Sequence, residues 1–331
     1  MSLVGLQLGS YRLTRLLGQG GFADVYLGEH IHLNTQVAIK VLQGRMAVQD
    51  LDDFKQEAQT IANLNHAHIL RILDFGVEGR IPFIVMDYAP KGTLRDRHPR
   101  GSILPISTVL AYLKQIAPAL YYAHEQKIIH RDIKPDNILI DTNNSLLLSD
   151  FGIALETQSS HHQNDAQIAG TAVYMAPEQF QGKPRRASDQ YALGIVVYEW
   201  LCGTRPFQGS FTELASQHLF VSPPSLRQKI PVIPSEVEHV VMRALAKKPE
   251  QRFADVETFA RSLAQASQVS MPVVLSPADK GDRQEHESTV ITTASSVTNF
   301  FTSEPSMRGQ TRNIRIKNII RMFSSYFMRK K

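Results

Sequence analysis

The sequence contains a single cysteine, Cys202, among its 331 residues. One thiol excludes a disulfide within the chain and favours a reducing compartment. Cys202 lies in an apolar stretch, which favours a small buried side chain over a nucleophile. Long hydrophobic runs are also absent: no window offers about 18 uninterrupted apolar residues, and the N-terminus lacks the basic start and apolar core of a signal peptide. We therefore expect neither a transmembrane helix nor a leader.

An excess of charge of one sign is absent from most of the chain. Residues 1–269 carry 26 Lys and Arg and 26 Asp and Glu, whereas residues 270–331 carry 10 and 5 and account for the whole net charge of +5. A neutral body gives no electrostatic support for nucleic-acid binding, so we expect no nucleic-acid partner. The hydrophobic fraction of 43% is that of an ordinary globular protein.

The periodicity of the apolar residues changes near residues 87–92. Strand-like runs dominate before this point, and long helical patterns dominate after it. A small β-rich part followed by a larger helical part predicts an α+β fold with two lobes. The predicted strands lie within residues 11–43, 69–77 and 81–88, and the predicted helices cover residues 49–64, 106–126, 188–203 and 235–246.

The stretch IIHRDIKPDNILI, residues 128–140, places charged side chains between two apolar runs. We interpret Ile128–Ile129 and Ile138–Ile140 as short buried strands or strand ends, and Pro135 as part of a turn between them. These residues alone leave two interpretations open, a structural salt-bridge network and a catalytic loop. The polar residues of the stretch are His130, Arg131, Asp132, Lys134, Asp136 and Asn137.

Two patterns earlier in the chain are typical of phosphate binding. Gly18, Gly20 and Gly21 lie between strand-like runs, where backbone N–H groups can approach phosphate oxygens, although a plain hairpin tip has the same pattern. Lys40 ends the apolar run of VAIK and needs an anionic partner, which Glu57 or a phosphate could supply. The alternative is a lysine that snorkels from a strand end.

A further acidic residue, Asp150, leaves the apolar run of LLLSDFG. Carboxylate and amide oxygens are ligands for hard cations, so Asp150 and Asn137 together could hold one. The segment GTAVYMAPE follows and ends in Glu178, and Asp189 opens the next helical pattern.

In this order and at these spacings, the motifs resemble those of the eukaryotic-type Ser/Thr protein kinases. GQGGFADVY and GTAVYMAPEQ are most similar to the bacterial branch of the family. The resemblance implies a kinase domain over residues 8–266, with an N-lobe over 8–86 and a C-lobe over 87–266. It also implies transfer of the γ-phosphoryl group of Mg-ATP to Ser or Thr of protein substrates, including the chain itself, an activity of the EC 2.7.11 type.

The resemblance implies roles for individual residues. Asp132 would accept or orient the proton of the attacking hydroxyl, and Lys134 would stabilise charge on the transferred group. Lys40, held by Glu57, would bind the α- and β-phosphates. The other implied sites are Asn137 and Asp150 for Mg²⁺ or Mn²⁺, Gly18, Gly20 and Gly21 for the phosphates, Val25, Ala38, Met86, Asp87, Ala89 and Leu139 for adenine, and Glu178 with Arg252 as a structural ion pair.

The loop before APE departs from the family pattern. Arg131 precedes the catalytic Asp, which in the family accompanies activation by a loop phosphate, yet no Ser or Thr lies between Ser160 and Thr171. Asp165 stands where relatives commonly carry a phosphorylated Thr. We hypothesise that Asp165 pairs with Arg131 and partly substitutes for the phosphate; a solvated loop residue is the alternative. Thr171 ahead of APE fits the Ser/Thr type.

Two other function classes compete with an active kinase. A pseudokinase, a folded nucleotide-binding scaffold without phosphoryl transfer, would be favoured by loss of Lys40, Asp132, Asn137 or Asp150, and all four are present. A small-molecule phosphotransferase is disfavoured by GTAVYMAPE, which resembles the peptide-docking part of protein kinases.

The last sixty residues differ in composition from the rest. Residues 267–307 are rich in Ser, Thr and mixed charge and predict a disordered linker. From Arg308 onward there are eight Lys and Arg and no acid. A basic amphipathic helix over residues 308–331 favours an anionic membrane surface or a partner groove, with a disordered tail or docking on the kinase domain as alternatives. We expect a cytoplasmic protein, peripheral at the inner membrane face if the tail binds lipid. The apolar residues on one predicted face are Ile316, Ile319, Ile320, Phe323 and Phe327.

Overall fold

The computed structural model describes residues 3–21, 23–43, 50–152 and 172–269. A six-stranded antiparallel sheet forms most of the N-terminal part, in the order β1-β2-β3-β4-β6-β5, and β7 pairs with β8 further along the chain. The strands are β1 (Gln7–Leu8), β2 (Tyr11–Gln19), β3 (Ala23–His30), β4 (Gln36–Leu42), β5 (Ile72–Glu78), β6 (Ile81–Asp87), β7 (Ile138–Ile140) and β8 (Leu146–Leu148).

Alternation along β4 determines which way Lys40 faces. Val37, Ile39 and Val41 belong to a hydrophobic cluster on one face of the sheet. Ala38 belongs to the larger cluster, which continues into the helical part of the chain. Because side chains two residues apart share a face of a strand, Lys40 lies on the same face as Ala38, towards the helical part.

The C-terminal part is built mainly from helices, as the change in periodicity predicts. The predicted α+β architecture, a small β-rich lobe followed by a larger helical lobe, is confirmed. The helices are α1 (Asp50–Ala62), α2 (Leu94–Arg97), α3 (Ile106–Glu125), α4 (Arg186–Cys202), α5 (Phe211–Phe220), α6 (Leu226–Lys229), α7 (Ser235–Ala244) and α8 (Val256–Val269), with 3-10 turns at Pro135–Asn137 and Pro249–Gln251.

Helix α4 lies at the centre of the helical lobe. Every residue from Ser188 to Cys202 is buried, as expected for a helix that is apolar on nearly all sides. Gly203 ends the helix in the left-handed conformation, with φ of 74°, and a Cβ there would lie 2.8 Å from the carbonyl oxygen of Gly101. The few polar side chains of α4 are therefore in the core and require partners.

A buried ion pair joins the segment before α4 to the 3-10 turn at Pro249–Gln251. Arg252 donates to both carboxylate oxygens of Glu178, at 2.7 and 2.9 Å, and Ser188 donates to the same carboxylate. Burial alone would raise the pKa of Glu178, but the hydrogen bonds and charge of Arg252 outweigh it and lower that pKa. The predicted pairing of Glu178 with Arg252 is confirmed.

Several predicted boundaries shift and two predictions are wrong. Ile138–Ile140 is a strand, as predicted, but Ile128–Ile129 is not, and both isoleucines are only half-buried. The reason is local: Ile128 donates its N–H to the carbonyl of Ala123, so this stretch closes the end of α3. The predicted start of the linker is also wrong, because helix α8 continues to Val269, three residues into the predicted range 267–307. The rest of the predicted linker and the basic tail lie outside the described residues. None of the helices in the described ranges has the length and apolarity that a membrane span requires.

Candidate active site

The loop between α3 and β7 brings three predicted residues together. Lys134 Nζ donates to Asp132 Oδ2 at 2.7 Å, and the Asn137 amide donates to the same oxygen and to the Asp132 carbonyl, each at 2.9 Å. Pro135 begins the 3-10 turn that carries Asn137 back to Asp132, because its fixed φ suits the first position of such a turn. Sequence neighbours thus converge on one carboxylate.

The charge of Lys134 is stabilised by this arrangement. Burial alone would lower its pKa, but Asp132, and then Asp136 and Asp150, outweigh burial and raise it. Lys134 is therefore a fixed cation next to Asp132, and its side chain is 19% exposed. A cation held at this point can stabilise negative charge that develops in front of Asp132.

A second ion pair connects the sheet to the helical lobe. Lys40 Nζ lies 2.6 Å from Asp150 Oδ1, and the side chains are 17% and 34% exposed. Burial would raise the pKa of Asp150, but the ammonium of Lys40 outweighs burial and lowers it. The carboxylate is therefore charged at neutral pH and available to a cation. The predicted pairing of Lys40 with Glu57, which is half-buried on α1, stays a prediction.

Two residues of the site adopt a left-handed backbone conformation, which residues other than glycine rarely take. Arg131 has φ of 70° and Asp150 has φ of 61°, and each such residue costs about 1 to 3 kcal/mol. Asp189, at the start of α4, accepts hydrogen bonds from the backbone N–H groups of His130 and Arg131, both at 2.8 Å. It also lies 2.7 Å from His124 Nε2. This carboxylate holds the loop in its left-handed turn.

The glycine-rich turn lies at the end of β2. Gly18 pairs with Val25 across β2 and β3, and a Cβ on Gly20 would come within 3.0 Å of the Ala23 carbonyl oxygen. A side chain at Gly20 would therefore crowd the backbone of the same turn. Gln43 donates to the Gly20 carbonyl at 2.9 Å and to Asp24 at 3.1 Å.

The apolar residues predicted for adenine lie on four strands, β3, β4, β6 and β7, and on the connection after β6. Ala38 pairs with Met86 across the sheet, and Ala38, Met86 and Ala89 are buried. Asp87 donates its N–H to the carbonyl of Arg71, so only its carbonyl can face a purine. Two further residues of this set, Val25 and Leu139, are partly buried and pack against the main core.

The donor set fits a hard divalent cation. Asn137 uses its amide N–H groups on Asp132, which leaves its oxygen as a ligand, and Asp150 supplies a charged carboxylate. In the described ranges, His, Cys, Asp and Glu form no group of three or more that could hold a metal. Two oxygen ligands are what Mg²⁺ needs from a protein when phosphates and water complete its shell.

Sequence reasoning missed several residues of this site and could not place others. The sequence predicts Asp189 only as the start of a helix. The feature that could have indicated its role is an acidic residue at the start of an otherwise apolar run. Gln179, which donates to the Arg131 carbonyl at 2.8 Å, and Gln43 carry no comparable signal. Asp165 and Thr171 lie outside the described residues.

Comparison with known proteins supplies the context for this geometry. The profile of the family described as the protein kinase domain matches residues 11–266. Serine/threonine-protein kinase PrkC of Bacillus subtilis is 38% identical over 260 residues, 77% of this chain and 40% of the relative. Pkn1 of Myxococcus xanthus is 37% identical over 271 residues, 79% and 39%, and PknL of Mycobacterium tuberculosis is 34% identical over 279 residues, 83% and 70%. The chain thus spans about two fifths of the length of the first two relatives.

Replacing Asp189 by Asn tests the support of the loop. Whichever way the Asn amide is turned, its NH₂ group faces at least one of the N–H groups that donate to Asp189. We therefore expect the free energy of unfolding, measured by urea denaturation, to fall by about 2 to 4 kcal/mol. Asp141→Asn is the matched control, because Asp141 accepts two backbone N–H groups through Oδ1 alone and Asn keeps that oxygen. Equal effects of the two substitutions would contradict the assignment.

Proposed function

Because the chain belongs to the protein kinase family, we propose that it transfers the γ-phosphoryl group of ATP to Ser and Thr hydroxyls of proteins. The observation that carries the proposal is the convergence of Asp132, Lys134 and Asn137 beside the Lys40–Asp150 pair. We propose the kinase domain over residues 8–266, with lobes over 8–86 and 87–266. Protein substrates, which include the chain itself, follow from the same proposal.

In the proposed reaction Asp132 acts on the acceptor hydroxyl. Its Oδ2 accepts from Lys134 and Asn137, so Oδ1 is the oxygen that would orient the hydroxyl and accept its proton. Lys134 would stay charged and stabilise the transferred phosphoryl group. The loose transition state spreads negative charge over that group, so fixed cations contribute much of the rate.

The nucleotide would bind between the two lobes. Lys40 would contact the α- and β-phosphates, with Glu57 as its second partner, and Gly18, Gly20 and Gly21 would cover the phosphates. Asn137 and Asp150 would hold Mg²⁺, or Mn²⁺ in its place, and the ion would neutralise phosphate charge when bound.

The base of the nucleotide would lie in the apolar groove. Val25, Ala38, Met86 and Leu139 would pack against adenine. The carbonyl of Asp87 and the N–H of Ala89 would bind its polar edge.

The experiment that tests this function is phosphate transfer from Mg-ATP by the purified chain, compared with Asp132→Asn. We expect the variant to lose about 100- to 10,000-fold in kcat, the usual contribution of a general base, while it still binds nucleotide. Mass spectrometry of the wild-type chain should find phosphate on Ser or Thr, and Asp141→Asn should behave as wild type. Nucleotide binding without transfer in the wild-type chain would instead favour a scaffold.

We also propose that Arg131 and Asp165 form an ion pair that partly replaces an activating phosphate, with Thr171 at the edge of the acceptor site. Support comes from the sequence, where Asp165 lies between Ser160 and Thr171 in a stretch that contains no other Ser or Thr. One carboxylate carries less charge than a phosphate, so the pair would hold the loop less firmly.

Substitution of Asp165 tests this pairing. In dephosphorylated enzyme, Asp165→Ala should lower kcat about two- to fivefold, the range that a surface ion pair of up to about 1 kcal/mol supports. Asp165→Glu should recover most of the activity, and Gln163→Ala, in the same loop, should change little. Unchanged activity in Asp165→Ala would refute the pairing.

For the basic segment 308–331 we propose binding to an anionic membrane surface, which would make a cytoplasmic kinase peripheral at the inner membrane face. Support comes from its eight Lys and Arg, its lack of acids and its apolar residues at helical spacing. Each basic residue near such a surface contributes about 1 kcal/mol. A protein groove and the chain's own kinase domain are the competing binding partners.

Vesicle flotation separates these possibilities. The full chain should float with vesicles that contain phosphatidylserine and stay behind with phosphatidylcholine alone, and added salt should weaken the binding because it screens charge. A chain shortened to residues 1–307 should not float on either, although it keeps its kinase activity. Equal behaviour of the two chains on anionic vesicles would rule out membrane binding through this segment.

A further inference from the structure

Helix α5 carries a histidine that the proposed mechanism does not use. His218 has no exposed surface. Its ring lies among the aromatic rings of Phe207, Phe180 and Tyr191, at centroid distances of 4.8, 5.7 and 5.7 Å. A buried imidazole is stable only when both of its nitrogens have partners. The structure supplies both.

Two hydrogen bonds fix the tautomer of the His218 ring. Nε2 lies 3.0 Å from the carbonyl oxygen of Val173. Because a carbonyl oxygen can only accept, Nε2 carries the proton. Nδ1 lies 2.9 Å from the hydroxyl of Tyr191, which therefore donates to the neutral ring. The imidazole thus links a hydroxyl on α4 to the backbone at Val173.

The surroundings keep this ring neutral. Burial, and then the charge of Lys247, lower the pKa of His218 to about 3. Lys247 donates to the Gln217 carbonyl at 3.1 Å and lies 4.5 Å above the ring of Phe207. A proton on His218 would therefore place a second positive charge close to Lys247. The bond to Val173 is expected to persist throughout the neutral pH range.

Val173 belongs to the segment GTAVYMAPE, which leads towards α4. Val173 and Tyr174 are buried, and the Tyr174 hydroxyl donates to Glu199 on α4 at 2.5 Å. Side chains of the segment are thus anchored on α4, whereas His218 anchors its backbone from α5. Through its hydrogen bond to the Val173 carbonyl, α5 constrains the backbone of this segment.

We propose that His218 is a positioning residue, which fixes the backbone at Val173 so that an acceptor polypeptide docks with its hydroxyl in reach of Asp132. Tyr191 assists by holding the His218 ring in the tautomer that donates to Val173. The inference rests on the proposed function, since GTAVYMAPE resembles the part of protein kinases where the peptide docks. Loss of the hydrogen bond between His218 and the Val173 carbonyl should raise the KM for the acceptor protein and leave the nucleotide site unchanged.

Steady-state kinetics of the full chain test the proposal. His218→Leu should raise KM for the acceptor protein about 3- to 10-fold, which corresponds to one buried neutral hydrogen bond, with KM for ATP unchanged. His218→Gln places an N–H near the same carbonyl and should recover most of the loss. Tyr191→Phe should have an intermediate effect. Tyr198→Phe is the matched control, because it removes another hydroxyl of α4, one that donates to the Pro224 carbonyl.

Two readouts do not depend on activity. Magnetic resonance of isotope-labelled histidine should give one neutral Nε2-protonated ring that resists titration at neutral pH and disappears in His218→Gln. Hydrogen exchange of the peptide 172–178 should be faster in His218→Leu than in wild type. These measurements remain valid if wild-type chain transfers no phosphate, so failure of the proposed function and failure of this inference can be told apart.

Several outcomes would overturn the inference. One is an acceptor KM in His218→Leu equal to that of wild type, even with a lower melting temperature, since a merely structural residue would give that pattern. Equal rises in the KM for ATP and for acceptor would be another, as would a Gln variant no better than Leu. If the Leu variant does not fold, the other measurements decide. A His218 ring protonated on Nδ1 in the wild-type chain would contradict the inference. Unchanged hydrogen exchange of the peptide 172–178 in Tyr191→Phe would also contradict it.

Discussion

The carboxylate of Asp189 is the interaction on which the site depends. It accepts the N–H groups of two consecutive loop residues, His130 and Arg131, and lies against His124. The left-handed backbone of Arg131 is strained. Three hydrogen bonds to the buried carboxylate of Asp189 offset that strain. Because Asp189 lies in a helix that is buried from Ser188 to Cys202, the loop that carries Asp132 is attached to the rigid core. In the proposed reaction Asp132 would thus be positioned by a residue outside the acceptor site.

The second constraint is the ion pair between Lys40 and Asp150, whose charges would take other partners in the proposed reaction. Lys40 and Asp150 neutralise each other across the two lobes, and both side chains retain some exposure. An ion pair of this kind contributes little stability when water can reach it. In the proposed reaction Lys40 would turn to phosphate and Asp150 to the metal ion, so each charge keeps a partner of opposite sign. Because the pair contributes little stability, the nucleotide and its metal ion would separate these two charges at a small cost in free energy.

Much of the fold and the site could be predicted because their determinants are local. The apolar run around Lys40 predicted a strand, and Asp132, Lys134 and Asn137 converge within six residues of sequence. The order of the motifs predicted the family, which the matching relatives confirm. Contacts between distant residues escaped prediction. Nothing in the sequence indicates that Gln43 would hold the glycine turn, and the apolar pair Ile128–Ile129 suggested a strand because apolar runs alone do not distinguish strands from helix ends.

Three buried polar side chains of the helical lobe, Asp189, His218 and Glu199, bind the loop that carries Asp132 or the segment 172–178. Asp189 accepts from the backbone N–H groups of His130 and Arg131. In the segment 172–178, the Val173 carbonyl lies 3.0 Å from His218, and the Tyr174 hydroxyl donates to Glu199. Well-packed apolar residues often stabilise a core at least as well as buried charges do. Stability alone therefore does not require polar side chains at Asp189, His218 and Glu199. In the proposed reaction these side chains would help to hold the Asp132 carboxylate and the acceptor hydroxyl at a fixed separation, because a small displacement of either slows a reaction that depends on alignment.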